Sequence, residues 1–148
     1  MNIRLAVRED IDALVDFNQA MALETEAKLL ETRILRNGVE AVFIDESKGF
    51  YVVVEETGVI IGGLMITFEW SDWRSKWFWW IQSVYIVPES RRKGIYKLLY
   101  DFVRLKAKES RDVCGFRLYV EMENLKAQKV YERVGMTGSK YLMYEEKM

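Results

Sequence analysis

Val84-Tyr85-Ile86-Val87-Pro88-Glu89-Ser90-Arg91-Arg92-Lys93-Gly94-Ile95-Tyr96-Lys97 is the stretch on which the reading of this chain turns. An apolar β-type run ends at Pro88, a basic loop follows, and a helical pattern begins at Gly94. Ile95, Leu98, Leu99, Phe102 and Leu105 recur at helical spacing through about Glu109. A helix start exposes unpaired backbone N–H groups and carries partial positive charge, so it binds phosphate; a glycine there lets the ligand approach the backbone. Arg91, Arg92, Lys93 and Lys97 concentrate positive charge on the loop, and a bound diphosphate is its natural ligand. R-x-x-G is a short pattern, which a solvated basic loop would also carry. The nucleotide-binding patterns G-x-x-x-x-G-K-S/T and G-x-G-x-x-G are both missing.

The rest of the chain narrows the class. Its 148 residues suit a single domain spanning 1–148, and one proline with an apolar half suits a packed core. With 22 basic and 23 acidic side chains the net charge is −1, which argues against nucleic acid or an anionic membrane as partner. Histidine is absent, which removes Ser-His and Cys-His catalysis and most zinc sites; no metal is expected. Cys114 is the only cysteine, so no intrachain disulfide forms. The chain shows neither a signal-peptide core nor an apolar run of spanning length, and a cytoplasmic location is expected.

The pattern predicts β-α-α-β-β-β-α-β-α-β, a mixed, mostly antiparallel sheet flanked by helices, in the α/β class. Ile3, Leu5 and Val7 alternate as a first strand, and Asp10 stands where it would cap a helix carrying Ile11, Leu14, Val15 and Asn18. A second helix is expected over Lys28–Arg36, stopping at Asn37-Gly38. Phe50–Glu55 and Val59–Trp70 read as a hairpin around Thr57-Gly58, and Trp77–Val87 as the next strand. Phe116–Glu121 reads as a strand. Asn124 caps a helix with Ala127, Val130, Tyr131 and Val134 on one stripe, closed by Gly135, and Tyr141–Glu145 is a last strand.

Two motifs together carry a family resemblance. Arg91-Arg92-Lys93-Gly94-Ile95-Tyr96 resembles the acyl-coenzyme A loop of the GNAT acetyltransferases, Q/R-x-x-G-x-G/A. Asn124-x-x-Ala127-x-x-x-Tyr131-x-x-x-Gly135-Met136 is similar to their next motif, N-x-x-A-x-x-x-Y-x-x-x-G-F/M. Tyr96 departs from the family's small residue, and a ring there would narrow the loop. The resemblance implies acetyl-CoA as co-substrate and an amine as acceptor. It implies that Val84, Tyr85 and Ile86 meet the pantetheine arm, with the Val84 N–H as oxyanion donor. The loop Arg91, Arg92, Lys93, Gly94, Ile95, Tyr96 and Lys97 would hold the diphosphate. Asn124 and Ala127 would line the other side, and Tyr131 would protonate the leaving thiolate.

The chemistry agrees with that parts list. An alkylamine of pKa about 10.4 is neutral in only about one molecule in 2,500 at pH 7, so a base or a water chain is useful. Attack on the thioester builds an oxyanion that needs a backbone donor. In the family's polyamine enzymes the middle strand reads L-E-D-I/L-Y-V; here it reads Ile81-Gln82-Ser83-Val84-Tyr85-Ile86, so Gln82 replaces the glutamate and orients the acceptor or a water. Glu121 and Tyr119, on one face of the expected next strand, are candidates for base and acceptor contact; Glu69 and Asp72 are further candidates for the base. All five tryptophans fall between Trp70 and Trp80. They read as cross-strand packing, with Trp70 and Trp73 also candidate walls of an acceptor pocket. The loop loosely resembles that of spermidine/spermine acetyltransferases, and the aromatic strand region is a candidate homodimer contact. The expectation is an N-acetyltransferase acting on a small-molecule amine. Alternatives are a protein lysine or N-terminal acetyltransferase and a non-catalytic acetyl-CoA-binding regulator.

Overall fold

Thr57 and Gly58 both adopt positive φ, 49° and 78°. That is the backbone of a two-residue hairpin turn whose twist matches its strands. It joins β2 (Phe50–Glu56) to β3 (Val59–Ser71) in the computed structural model, which describes residues 1–148. The chain runs β1 (Asn2–Leu5), α1 (Ile11–Glu26), α2 (Thr32–Ile44), β2, β3, β4 (Lys76–Ile86), α3 (Ile95–Ser110), β5 (Val113–Arg117) and α4 (Leu125–Arg133). The strands lie in sequence order in one sheet, antiparallel except for the β4–β5 pair.

Alternation along β2 sorts two cores. Val52 and Val54 face α3 with Leu64, Ile66, Trp79, Ile81, Leu99 and Val103. Tyr51 and Val53 face α1 and α2 with Ile11, Leu14, Val15 and Val39. Val52, Val53 and Val54 are wholly buried, so β2 is covered on both faces. The inner stripe of α4, Val130, Tyr131 and Val134, packs on the α3 face.

Four expectations need correction. Asp10 precedes α1 but does not cap it. Its carboxylate accepts the Val7 N–H at 2.8 Å and pairs with Arg4 at 2.7 Å, tying β1 to the helix start. The second helix does not stop at Asn37-Gly38. Glu31 caps it by accepting the Ile34 N–H, and the helix continues to Ile44 because Val39 and its neighbours bury against Tyr51 and Val53. That packing outweighs the roughly 1 kcal/mol penalty of an internal glycine. The fifth strand is Val113–Arg117, earlier than expected, so Tyr119 and Glu121 lie beyond it. Tyr141–Glu145 is not a strand here, since no neighbouring strand pairs with it.

One irregularity positions everything that follows. Between Gly63↔Tyr85 and Met65↔Gln82, β4 spends one residue more than β3. The extra residue is a bulge at Ser83, whose φ is 53°. Trp77, Trp79 and Ile81 face α3, and after the bulge so do Val84 and Ile86.

Candidate active site

β5 ends at Arg117, opposite Trp80, so from Ile81 onward β4 has no neighbour on that side. The Val87 N–H bonds to Ile61 O on β3. By alternation, Ile86 and Val84 turn their N–H and C=O toward the open side. The Ile86 carbonyl is taken by Arg91 Nε at 2.8 Å, and no paired strand continues beside Val84 on that side. An extended ligand arm bearing amide groups fits such an edge.

The basic loop ends in Gly94 at φ 76°, preceded by Arg92 at φ 63°. Leu98 N–H is the first to close on Gly94 O, which leaves the N–H groups of Ile95, Tyr96 and Lys97 without helical partners. Arg91 is not free for an anion: it bonds to Ile86 O and pairs with Glu24 of α1 at 2.9 Å, so it staples the strand end to the helix. Lys97 pairs with Asp101 at 2.7 Å on the surface. Arg92 and Lys93 are exposed and unpaired, and they are the loop's available cations.

Tyr96 does not narrow the loop. Its ring turns inward, 93% buried, with ring centroids 5.3 Å from Tyr131 and 6.1 Å from Tyr100. Its hydroxyl is the one buried side-chain polar atom with no hydrogen-bond partner, and burial pushes its pKa up. A buried donor left unpaired costs about 1–3 kcal/mol. Tyr96→Phe is therefore expected to leave thermal stability unchanged or raise it. A clear fall in the melting temperature would show that the hydroxyl has a partner.

Asn124 caps α4, its side chain accepting the Ala127 N–H at 3.1 Å. Tyr131 lies one turn further along the inner stripe, and burial raises its pKa, so its phenol stays protonated at neutral pH.

On the other face, beside the bulge, an open cavity of about 350 Å³ lies between α1, α2 and the sheet. Asn18, Lys48, Tyr51, Met65, Thr67 and Ser83 are among its lining residues, and no carboxylate is. Gln82 donates to Thr67 Oγ1 at 2.6 Å, which leaves its carbonyl oxygen free. The sequence reading passed over Lys48, Thr67 and Ser83. Helix α2 had been expected to stop before the turn that brings Lys48 here, and only the x-x gap between Ile81 and Val84 in an otherwise alternating run marks the bulge.

Other expected site residues do not line this cavity. Trp70 pairs with Trp77 at the far end of the β3–β4 hairpin, about 17 Å along the strand from Gln82. Trp73, 91% exposed, is at the hairpin tip. Tyr119 stacks on Trp80 with centroids 4.5 Å apart. Glu69 is held by Trp80 Nε1 at 2.7 Å and by Arg117 at 3.1 Å, and Asp72 accepts the Trp73 N–H. Glu121 is exposed, with one oxygen on the Glu123 N–H.

A family model described as Acetyltransferase (GNAT) family matches residues 12–136. The chain belongs to the GNAT acetyltransferases. A possible acetyltransferase from Clostridium difficile 630 has 41% identity to it and a TM-score of 0.92, over 99% of this chain and 97% of that one. A predicted acetyltransferase from Clostridium acetobutylicum, solved with acetyl-CoA, has 20% identity and a TM-score of 0.80 over 98% and 95%. The aminoglycoside 6'-N-acetyltransferase AAC(6')-IG from Acinetobacter haemolyticus has 13% identity and a TM-score of 0.80 over 100% and 99%; these last two share the fold. None of the curated proteins compared with the chain matches it. This GNAT chain is thus an acyl-CoA-dependent N-acetyltransferase that binds acetyl-CoA. No helix in it is long and apolar enough to cross a membrane.

Proposed function

We propose that the protein transfers acetyl from acetyl-CoA to a primary amine of a small molecule in the cytoplasm, by direct attack. The observation that carries this reading is the juxtaposition at Ser83: the free edge of β4 opens on one side of the bulge and the cavity on the other. The amine enters past Gln82 and Thr67 and meets the thioester where the Val84 N–H faces the developing oxyanion. Backbone N–H groups of Ile95, Tyr96 and Lys97, with Arg92 and Lys93, hold the diphosphate. Val84, Tyr85 and Ile86 align the pantetheine arm against Asn124 and Ala127, and Tyr131 donates its proton to the departing sulfur.

Glu121, acting through water, receives the amine's proton: its exposed carboxylate takes only the Glu123 N–H, whereas Trp80 and Arg117 hold Glu69 and Asp72 sits at the hairpin tip. A cavity with no carboxylate in its lining suits a single amine on an otherwise neutral molecule better than a polyamine, and Lys48 at its rim is paired with Asp45 at 3.0 Å. The deciding experiment is free-thiol release from acetyl-CoA against a panel of amines, amino acids and peptides. Release confined to peptides would favour protein acetylation, and no release with any acceptor would favour a regulator.

The diphosphate site is tested separately. Gly94 stands at φ 76°, where an L side chain is strained, although the space around it is open. Gly94→Val should therefore distort the loop and weaken acetyl-CoA binding by about 10-fold or more, on the order of 1–2 kcal/mol of left-handed strain. Calorimetry reads this directly. Wild-type affinity in the variant would remove the loop from the binding site.

A further inference from the structure

Tyr96 breaks a local rule with no visible return. It stands where the family's cofactor loop carries a small residue, and its ring turns into the α3-face core. There it packs against Tyr100 and Tyr131, with 93% of its surface covered. Phenylalanine would fill the same space. The tyrosine adds only a hydroxyl, and that hydroxyl is the one buried side-chain polar atom without a partner. Protein interiors rarely leave such a group unpaired, so the exception calls for a function. Two phenols adjoin its ring. Tyr100 takes no part in the proposed reaction, whereas Tyr131 changes charge during it.

We infer that Tyr96 is a positioning residue for Tyr131: its hydroxyl donates a hydrogen bond to the Tyr131 oxygen as that oxygen becomes a phenolate. The inference rests on the proposed acid role of Tyr131. In that step the C–S bond of the tetrahedral intermediate breaks and its electron pair goes to sulfur. The Tyr131 O–H proton moves onto the sulfur, and a phenolate remains at the edge of the core. The transfer runs uphill, because a thiol has a pKa of about 8.5 and a phenol one of about 10, and burial raises Tyr131 further. A donor to the phenolate offsets this, since a hydrogen bond to a charged acceptor is roughly twice as strong as a neutral one. Tyr96 holds such a donor unspent. It keeps its own proton, because burial and the two adjoining phenols push its pKa up. Hydrogen bonds at catalytic groups often close only when substrate is bound, which agrees with the unbonded edge-to-face contact of the two rings.

A double-mutant cycle in kcat tests the pairing. Tyr96→Phe should lower kcat by about 10- to 100-fold, the size of a lost hydrogen bond to a charged group. Its acetyl-CoA affinity by calorimetry should stay at the wild-type value, and its melting temperature should match or exceed it. Tyr131→Phe removes the oxygen that Tyr96 serves, so adding Tyr96→Phe to it should lower kcat no further. A purely structural Tyr96 would instead give losses that multiply, and that result would overturn the inference. Wild-type kcat in Tyr96→Phe beside a slow Tyr131→Phe would also overturn it, while leaving the acid role standing. Wild-type kcat in Tyr131→Phe would overturn the acid role itself, and the inference with it.

Discussion

Replacing Tyr131 by Phe is expected to lower turnover by about 10²–10⁴-fold, the usual size of a lost general acid. The substitution keeps the edge-to-face contact with Tyr96 and the inner stripe of α4, and removes only the hydroxyl. Melting temperature and acetyl-CoA affinity should therefore stay near wild type while kcat falls. The pH profile adds a second readout. Burial raises the Tyr131 pKa above the ordinary value near 10, and in the proposed acid role the protonated phenol is the form that acts. Losses from its ionisation begin only above about pH 10. Between pH 7 and 9 the wild-type rate should rise with the free-amine fraction and not fall. Wild-type turnover in Tyr131→Phe would assign the ring to packing alone.

The parts that sequence made legible are those set by local chemistry. The Thr57-Gly58 hairpin, the Asn124 cap and the glycine-started helix after the basic loop each rest on a few adjacent residues, and each forms as expected. The misplaced elements were decided by distant partners. Asn37-Gly38 reads as a helix stop until Val39 finds Tyr51 and Val53 across the α1/α2-side core. β5 ends at Arg117, where its guanidinium lies over Phe78 and pairs with Glu69. No local pattern announces either contact. The roles of charged residues were the hardest to read, because a cation in a motif can be spent structurally: Arg91 carries the motif's first position yet holds Ile86 O and Glu24. Tyr96 misled in the other direction. Its position near the helix start suggested the loop, while its ring was recruited by Tyr100 and Tyr131.

Ser83 makes the bulge testable with two opposite substitutions. Its φ of 53° lies where a non-glycine residue costs roughly 1–2 kcal/mol. Ser83→Gly removes that strain, so stability should hold or rise and turnover should remain. Ser83→Val puts a β-branched side chain at the same φ, which is a worse fit. The bulge should then shift or flatten, at a stability cost of about 1–3 kcal/mol. Flattening reverses the alternation beyond it. Val84 and Ile86 would leave the α3 face, and the Val84 N–H would turn from the open edge toward β3. Losing one oxyanion donor costs about 10²–10³ in kcat. The expected result is thus a Val variant that still folds and binds acetyl-CoA weakly, with kcat reduced by that factor, beside a Gly variant of wild-type turnover. Equal turnover in the two would mean that the bulge does not aim the donor. The oxyanion would then be met by some group other than the Val84 N–H.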